Sequence, residues 1–283
     1  MKQPPPGSVP QTKLYLEGRY RKLVRDLPQT VFYCPECKGH PRRRKKCERC
    51  EGFGKLTRDS VQELVAWVAT KEFGTRKQKF HGAGREDIDV RMLGRGRPFV
   101  LELANARNTD IDLEALEAEI NRRNEGRIEI EGLHYAAKER VVILKETPHA
   151  KAYQALVEVE ESIELSAFDE HLNKRIIVAQ KTPDRVAHRR ADLTRERWIE
   201  LTAVEEVEGS GGRQFLITLN TQHGTYVKEV LSGEGGKTDP SLTGLLGVPS
   251  RCVELDVLNI LEAEGNAPAK PRERPPSFGS GLA

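Results

Sequence analysis

Two short runs of residues, far apart in the chain, carry the side chains best suited to chemistry. The first, Gly84-Arg85-Glu86-Asp87, offers carboxylates on a glycine-flanked turn, where a fixed backbone would hold a nucleophile or base in place. The second, at 224–228, offers the aromatic ring of Tyr226 and the cation of Lys228. If the fold brings the runs together, they make a site for a nucleobase, with an acidic group, a positive partner and a stacking surface. Each run alone also has the composition of a solvated charged loop or of an ordinary helix start.

The stretch 84–91, which contains the first run, leaves the choice of carboxylate open, because Glu86, Asp87 and Asp89 all compete for the role. Lys228 would pair with a buried aspartate and keep it ionised. Gly224 permits an unusual backbone turn, which makes Val227 available to pack under a ring.

Four of the five cysteines form a metal-binding pattern of two CxxC pairs separated by nine residues. The residues are Cys34, Cys37, Cys47 and Cys50. This spacing predicts one structural zinc ion held by four thiolates. Two disulfides are the alternative, which an intracellular location disfavours.

Composition indicates a soluble globular protein, with 37% hydrophobic and 31% charged residues in 283. No apolar run approaches the roughly 18 residues of a membrane span, and the polar, proline-rich N-terminus has no signal-peptide core. We therefore expect a cytoplasmic protein with no membrane partner. The net charge of +3 does not identify a nucleic-acid partner, although basic residues cluster at 42–46 and 185–197.

Strand and helix patterns alternate without regular βαβ order, which predicts an α+β fold with a largely antiparallel mixed sheet and flanking helices. A helix is expected to start at Asp59-Ser60, a glycine-rich loop to cover 80–97, and a short helix to cover 168–174. The predicted organisation has disordered tails at both ends, an N-terminal segment that contains the zinc knuckle, and one catalytic domain. The ranges are 1–13 and 264–283 for the tails, 14–58 with the knuckle at 34–50, and 59–263 for the catalytic domain.

Longer stretches around both runs resemble a known family. REDIDVRMLGRGRPF at 85–99, QKTPDRVAHRRAD at 180–192, and the GTYVKE and GKTDP elements within 222–240 occur in order. They are similar to the pseudouridine synthases, and among them to the archaeal and eukaryotic tRNA enzymes of the Pus-ten type. The resemblance covers roughly Tyr20 to Leu261.

The resemblance implies the pseudouridine-synthase catalytic fold, with its central cleft, and the conversion of uridine to pseudouridine in the T arm of tRNA, at positions 54 and 55. It implies that Asp87 is the catalytic aspartate and that Tyr153 stacks on the flipped base. Lys228 would pair with the aspartate, and Glu86 and Asp89 would support it. The further residues implied to bind substrate are Arg85, Tyr226 and Val227.

The basic segment after residue 184 would track RNA phosphates, unless it is simply a solvated face. Its candidate residues are Arg185, His188, Arg189 and Arg190. The isomerisation needs no organic cofactor. The family carries an accessory RNA-binding domain before the catalytic part, so the short segment before Cys34 predicts a reduced front end. A separate RNA-binding protein is then a candidate partner, and a non-catalytic, zinc-dependent tRNA-binding module is the alternative function.

Overall fold

The computed structural model describes residues 13–187 and 190–261, which divide into two compact units. Unit 1 comprises residues 13–88 and 96–147, and unit 2 comprises 89–95 together with the described residues from 148 onwards. The predicted tails lie outside the described residues, except that Lys13 begins the first strand. The predicted domain ranges stay a prediction.

Unit 1 combines a mostly antiparallel set of strands with four helices. Its strands run in the order β4-β1-β3-β2. Their bounds are β1 Lys13–Lys22, β2 Lys77–Gly82, β3 Arg91–Ala104 and β4 Ile128–Tyr135. The helices are α1 Pro41–Arg44, α2 Val61–Glu72, α3 Leu113–Arg123 and α4 Arg140–Glu146.

Local sequence explains the start of α2 and the side it buries. Ser60 accepts a hydrogen bond from the backbone N–H of Glu63 at 3.2 Å, which satisfies one of the free donors of the first turn. Leu64, Val65 and Val68 then recur at helical spacing and are buried, as the sequence predicts.

An aromatic cluster forms part of the unit 1 core beside the first run. Phe80 of β2 stacks on Phe99 of β3 with ring centroids 5.1 Å apart, and Tyr20 of β1 lies within 6.1 Å of both. Tyr20 and Phe99 are fully buried, so β1, β2 and β3 share one apolar face.

The expectation of a loop over 80–97 is wrong, because strands occupy both ends of that stretch and only residues 83–90 join them. Gly94 and Gly96 adopt positive φ angles inside β3 rather than in a turn. A Cβ on Gly94 would lie 1.9 Å from the Leu258 carbonyl oxygen, and one on Gly96 would lie 2.7 Å from that of Tyr20. These glycines therefore allow neighbouring backbone to approach closely, a role that the loop interpretation missed.

Unit 2 is built on antiparallel strands in the order β10-β5-β8-β7-β6-β9, and the first residues of β3 pair in parallel with β10. The strands are β5 Lys151–Val159, β6 Arg175–Lys181, β7 Thr194–Glu206, β8 Gln214–Thr221, β9 Thr238–Asp239 and β10 Ser250–Ile260. The helices are α5 Asp184–Ala187, α6 Val227–Ser232 and α7 Leu242–Leu246. These pairings confirm an α+β fold with mostly antiparallel strands.

The helix expected over 168–174 is also wrong, because a single 3₁₀ turn at Leu165–Phe168 takes its place. Phe168 is buried against Phe215 with ring centroids 5.0 Å apart, and Leu172 bridges to Leu201 of β7. Tertiary packing therefore overrides the local helical preference. Among the described residues, no helix has the length and apolar character needed to cross a membrane.

Candidate active site

The 83–90 loop of the first run is held by side chains that bind its backbone carbonyls within unit 1. Lys22, which is fully buried, donates to the carbonyls of Asp87 at 3.2 Å and Ile88 at 3.0 Å. Gln29 donates to the carbonyl of Gly84 at 3.0 Å. The backbone that carries Asp87 is therefore fixed by specific hydrogen bonds rather than left to sample many turns.

Glu86 turns inward and anchors the same loop. Its carboxylate lies 2.7 Å from Nε of Arg97 and accepts hydrogen bonds from the Tyr20 hydroxyl at 2.8 and 2.9 Å. The side chains of Glu86 and Arg97 are 0% and 1% exposed, so this is a completely buried ion pair. Gln29 in turn donates to the Tyr20 oxygen at 2.8 Å.

The charge of the network has a direct effect on Tyr20. Burial and the neighbouring Glu86 carboxylate raise the pKa of the Tyr20 phenol well above its ordinary value. The phenol therefore stays protonated and remains a hydrogen-bond donor to Glu86 over the working pH range.

The environments of the three candidate carboxylates differ sharply. Glu86 is sealed in its ion pair, Asp89 is exposed and bound to a lysine, and Asp87 is half-buried on the fixed backbone. Arg85 points to solvent beside it. A carboxylate that acts on a substrate must be reachable and firmly placed, and Asp87 meets both conditions.

The lysine of the second run is engaged within unit 2. Nζ of Lys228 donates to both carboxylate oxygens of Asp89, at 2.9 and 2.6 Å. The sequence analysis predicted Asp87 as the partner of Lys228, whereas the observed partner is Asp89, two residues further along the same motif. A Lys228–Asp87 pair stays a prediction.

The segment that follows the first run is anchored in unit 2 by an arginine. Nε of Arg91 donates to Oδ1 of Asp256 in β10 at 2.9 Å, and Nη2 of the same guanidinium reaches Oδ2. Asp256 is buried, and Val90 next to Arg91 is buried as well. A bidentate pair of this kind fixes direction as well as distance.

Tyr226 sits at the start of α6 with its backbone held on both sides by one glutamine. Gln180 of β6 accepts from the Tyr226 N–H at 2.8 Å and donates to its carbonyl at 3.0 Å. The Arg185 guanidinium lies 5.8 Å from the centre of the Tyr226 ring and pairs with buried Glu229. The ring is thereby given a defined orientation.

Two other predicted substrate-binding residues also lie in unit 2. Tyr153 is half-buried on β5, opposite Leu219 of β8 and Val257 of β10. Val227 is buried at the first position of α6, as expected for an apolar packing residue. Asp87 belongs to unit 1.

The predicted RNA-binding residues divide into three cases. His188 and Arg189 lie outside the described residues, and Arg190 is exposed. Arg185 gives two of its donors to Glu229, which leaves fewer for a phosphate. The RNA-binding role of all four stays a prediction.

The four cysteines of the CxxC pairs come together in unit 1 in a geometry that fits a metal ion. Sγ of Cys34 lies 3.7 Å from that of Cys47, and Cys37 and Cys50 show the same separation. All four sulfurs lie within 4.8 Å of one another. A tetrahedral zinc with Zn–S bonds of about 2.3 Å places its sulfurs about 3.8 Å apart, so this donor set fits one zinc ion. The 3.7 Å separations exceed a disulfide bond of about 2.05 Å.

The knuckle is closed by backbone contacts next to the sulfurs. The N–H of Cys34 donates to the carbonyl of Gly54 at 3.1 Å, and the N–H of Gly54 donates to Sγ of Cys50 at 3.1 Å. The N–H group of Gly54, which points at a sulfur, stabilises thiolate charge and supports a metal-binding role.

Sequence reasoning missed the residues that hold the site. Tyr20, Lys22, Gln29 and Arg97 fix the first run, and Gln180 fixes the second. The sequence offered one signal, which was polar side chains within apolar strand patterns. Such a side chain does not identify the distant residue that it contacts.

Comparison with known proteins gives a consistent match. The family model described as "Pus10, C-terminal" matches residues 15–261. A protein of Methanothrix thermoacetophila named tRNA pseudouridine synthase Pus10 is 44% identical over 87% of this chain and 53% of its own length. Proteins of the same name from Methanothermobacter marburgensis and Methanocaldococcus jannaschii are 42% and 44% identical, over 60% and 53% of their lengths. The chain thus spans between half and two thirds of these relatives.

Among solved structures, a Cbf5-Nop10-Gar1 complex matches 70% of this chain and 44% of its own chain, with 20% identity. Its TM-score is 0.38, which is too low to establish a shared fold.

Proposed function

This chain belongs to the Pus10 C-terminal family, and on that premise we propose that it is the catalytic part of a tRNA pseudouridine synthase. The proposed reaction is the isomerisation of uridine to pseudouridine in the T arm of tRNA, at positions 54, 55 or both. The relatives that support this are longer proteins, so activity, substrate and partners of this chain are part of the proposal.

The observation that carries the proposal is the placement of the carboxylates in the first run. Glu86 is buried beside Arg97 and Asp89 is exposed, whereas Asp87 is half-buried on a backbone that Lys22 fixes. We assign the catalytic role to Asp87, because a reacting carboxylate needs both access and a fixed position.

The chemistry requires no redox step and no added group. The bond from N1 of uracil to the ribose C1′ breaks, the base turns, and a bond from C5 to C1′ forms. N1 gains a proton and C5 loses one, so atoms and charge balance. The Asp87 carboxylate acts at the ribose as the bond to the base breaks. Because the isomerisation transfers no electrons and adds no group, no organic cofactor enters the proposal.

The residues of unit 2 are assigned to the base and its surroundings. A uridine in the T arm must leave its stack, at a cost of a few kcal/mol, and the ring of Tyr153 offsets part of that cost by stacking. Tyr226, Val227 and Lys228 complete the proposed substrate-binding set, and Arg85 is assigned to the RNA backbone beside Asp87.

Further parts of the proposal follow from the family. The zinc that the four cysteines fit is structural, and tRNA is the principal partner. A cytoplasmic location, the predicted domain ranges and a separate RNA-binding protein that assists binding belong to the proposal as well.

The test is a map of pseudouridine in an unmodified tRNA transcript after incubation with the zinc-loaded protein. The wild-type chain is expected to modify position 54, 55 or both, and Asp87→Asn to modify neither. Asp89→Asn makes the same chemical change two residues away and breaks the pair with Lys228, so it separates the loss of a reacting carboxylate from the loss of a supporting ion pair. Full activity in Asp87→Asn would refute the assignment. Tight tRNA binding without any product from the wild type would instead favour a non-catalytic tRNA-binding module.

A further inference from the structure

A second concave site lies in unit 1, away from the 83–90 loop. It has a volume of about 570 Å³, within the roughly 300–1,000 Å³ of small-ligand pockets. Helix α2 and the end of α3 form its walls. Its lining residues are Arg58, Asp59, Leu64, Trp67, Val68, Arg123, Asn124 and Arg127.

The most unusual lining residue is Trp67, whose side chain is 74% exposed. Leu64, one turn earlier on α2, and the adjacent Val68 are buried and account for the packing of the helix. Trp67 makes no ring contact with another described aromatic residue or cation. Tryptophan is enriched at binding surfaces because its ring combines a large apolar face with an N–H donor, and the accessible indole of Trp67 fits such a surface.

The charges around the indole are positive. Three arginines and one aspartate line the pocket, and Arg123 pairs with Glu119 just outside the lining, so the balance is one positive charge. Arg127 is held by Asp59 at 3.0 Å, which fixes its guanidinium at the rim. The Arg58 side chain is exposed and forms no hydrogen bond or ion pair within the described part of the chain.

We propose that this pocket binds one unstacked nucleotide of RNA, with the base on the Trp67 ring and the flanking phosphates on Arg58 and Arg127. An aromatic face beside arginines is the combination that single-stranded nucleic acid requires, because every base has a face to stack and every linkage carries a negative charge. A peptide partner would use the apolar surface but leave the excess arginine charge unmatched. This inference rests on the proposed function, because the RNA is taken to be the substrate tRNA. The nucleotide bound in the pocket is a different one from the reacting uridine.

The chain supplies its own reporter, because it contains two tryptophans. Trp198 lies in unit 2 with the Arg175 guanidinium 4.6 Å from its ring, and Trp198→Phe leaves Trp67 as the sole indole. Titration of zinc-loaded Trp198→Phe protein with an unmodified tRNA transcript should quench the Trp67 fluorescence and shift its maximum. Trp67→Phe, with Trp198 retained, is the matched control and should show little change.

The affinity effects are equally specific. Trp67→Ala should raise the tRNA dissociation constant about 10-fold, and Trp67→Phe should raise it less because phenylalanine still stacks. Arg58→Ala should reduce the slope of log affinity against log salt by about one phosphate contact. The side chains of Trp67 and Arg58 are both exposed, so the variants are expected to fold.

The outcomes separate this site from the proposed activity. Asp87→Asn in the Trp198→Phe background should lose product formation but keep the quenching and the affinity. Saturating tRNA that leaves Trp67 fluorescence unchanged, or Trp67→Ala that binds tRNA as tightly as the wild type, would overturn the pocket and leave the proposed activity standing. Full product formation by Asp87→Asn would refute the catalytic assignment and leave the pocket standing.

Discussion

Replacement of Glu86 by glutamine tests whether the buried ion pair holds the candidate active-site loop. The change preserves side-chain shape but removes the negative charge from Arg97, whose side chain is 1% exposed. Removing one partner of a buried ion pair leaves an uncompensated charge, which costs roughly 3–5 kcal/mol of folding free energy. This is a large part of the roughly 5–15 kcal/mol that stabilises a domain.

The measurement is urea unfolding of the protein, followed by far-UV circular dichroism at fixed zinc concentration. With a urea dependence near 2 kcal/mol per molar, the expected loss lowers the midpoint by about 2 M. The surface pair of Arg122 with Glu119 provides the control, because Arg122 is 69% exposed and Arg122→Ala should cost less than about 1 kcal/mol. A Glu86→Gln midpoint within about 0.3 M of the parent would refute the structural role assigned to the pair.

Three further predictions concern the metal, pH and the second run. Cys47→Ser should lower bound zinc well below one equivalent by elemental analysis and destabilise unit 1, and retention of a full equivalent would contradict the four-thiolate site. The pKa of Tyr20 is raised in the folded state, so unit 1 should lose stability as pH rises above about 10, where the unfolded phenol ionises. Tyr20→Phe should make the urea midpoint fall less steeply with pH in that range. Gln180→Ala removes both hydrogen bonds to the Tyr226 backbone and should lower the isomerisation rate about 10-fold or more, with circular dichroism unchanged; a wild-type rate would show that Tyr226 needs no such support.

Features with short sequence range could be predicted from the sequence. The CxxC spacing brings four sulfurs together because each pair is separated by only two residues and both pairs belong to one knuckle. The start of α2 follows from the Ser60 cap and the apolar spacing after it. The alternation of β5 likewise marks its buried face, with Ala155, Val157 and Val159 inside.

Features that depend on distant pairing could not be predicted. The Tyr20 hydroxyl meets Glu86 across 66 residues, and Lys228 meets Asp89 across 139, and neither pair leaves a periodic signal. The same limit explains the error over 80–97, where Gly94 and Gly96 look like turn residues but lie inside a strand that other backbone segments approach. The type of a residue indicates which backbone angles it tolerates, but it gives no information on the neighbouring backbone segment that requires those angles.

The most direct measurement is the single-turnover rate of uridine isomerisation in a tRNA transcript with excess zinc-loaded protein. We expect Asp87→Asn to lower the rate by at least about 10³-fold, because it removes the reacting carboxylate. The hydrogen bonds from Lys22 and the ion pair of Glu86 still hold the loop in this variant. Asp89→Asn should fold normally and retain a measurable rate. An Asp87→Asn rate equal to that of the wild type, or a loss confined to Asp89→Asn, would contradict the assignment of Asp87.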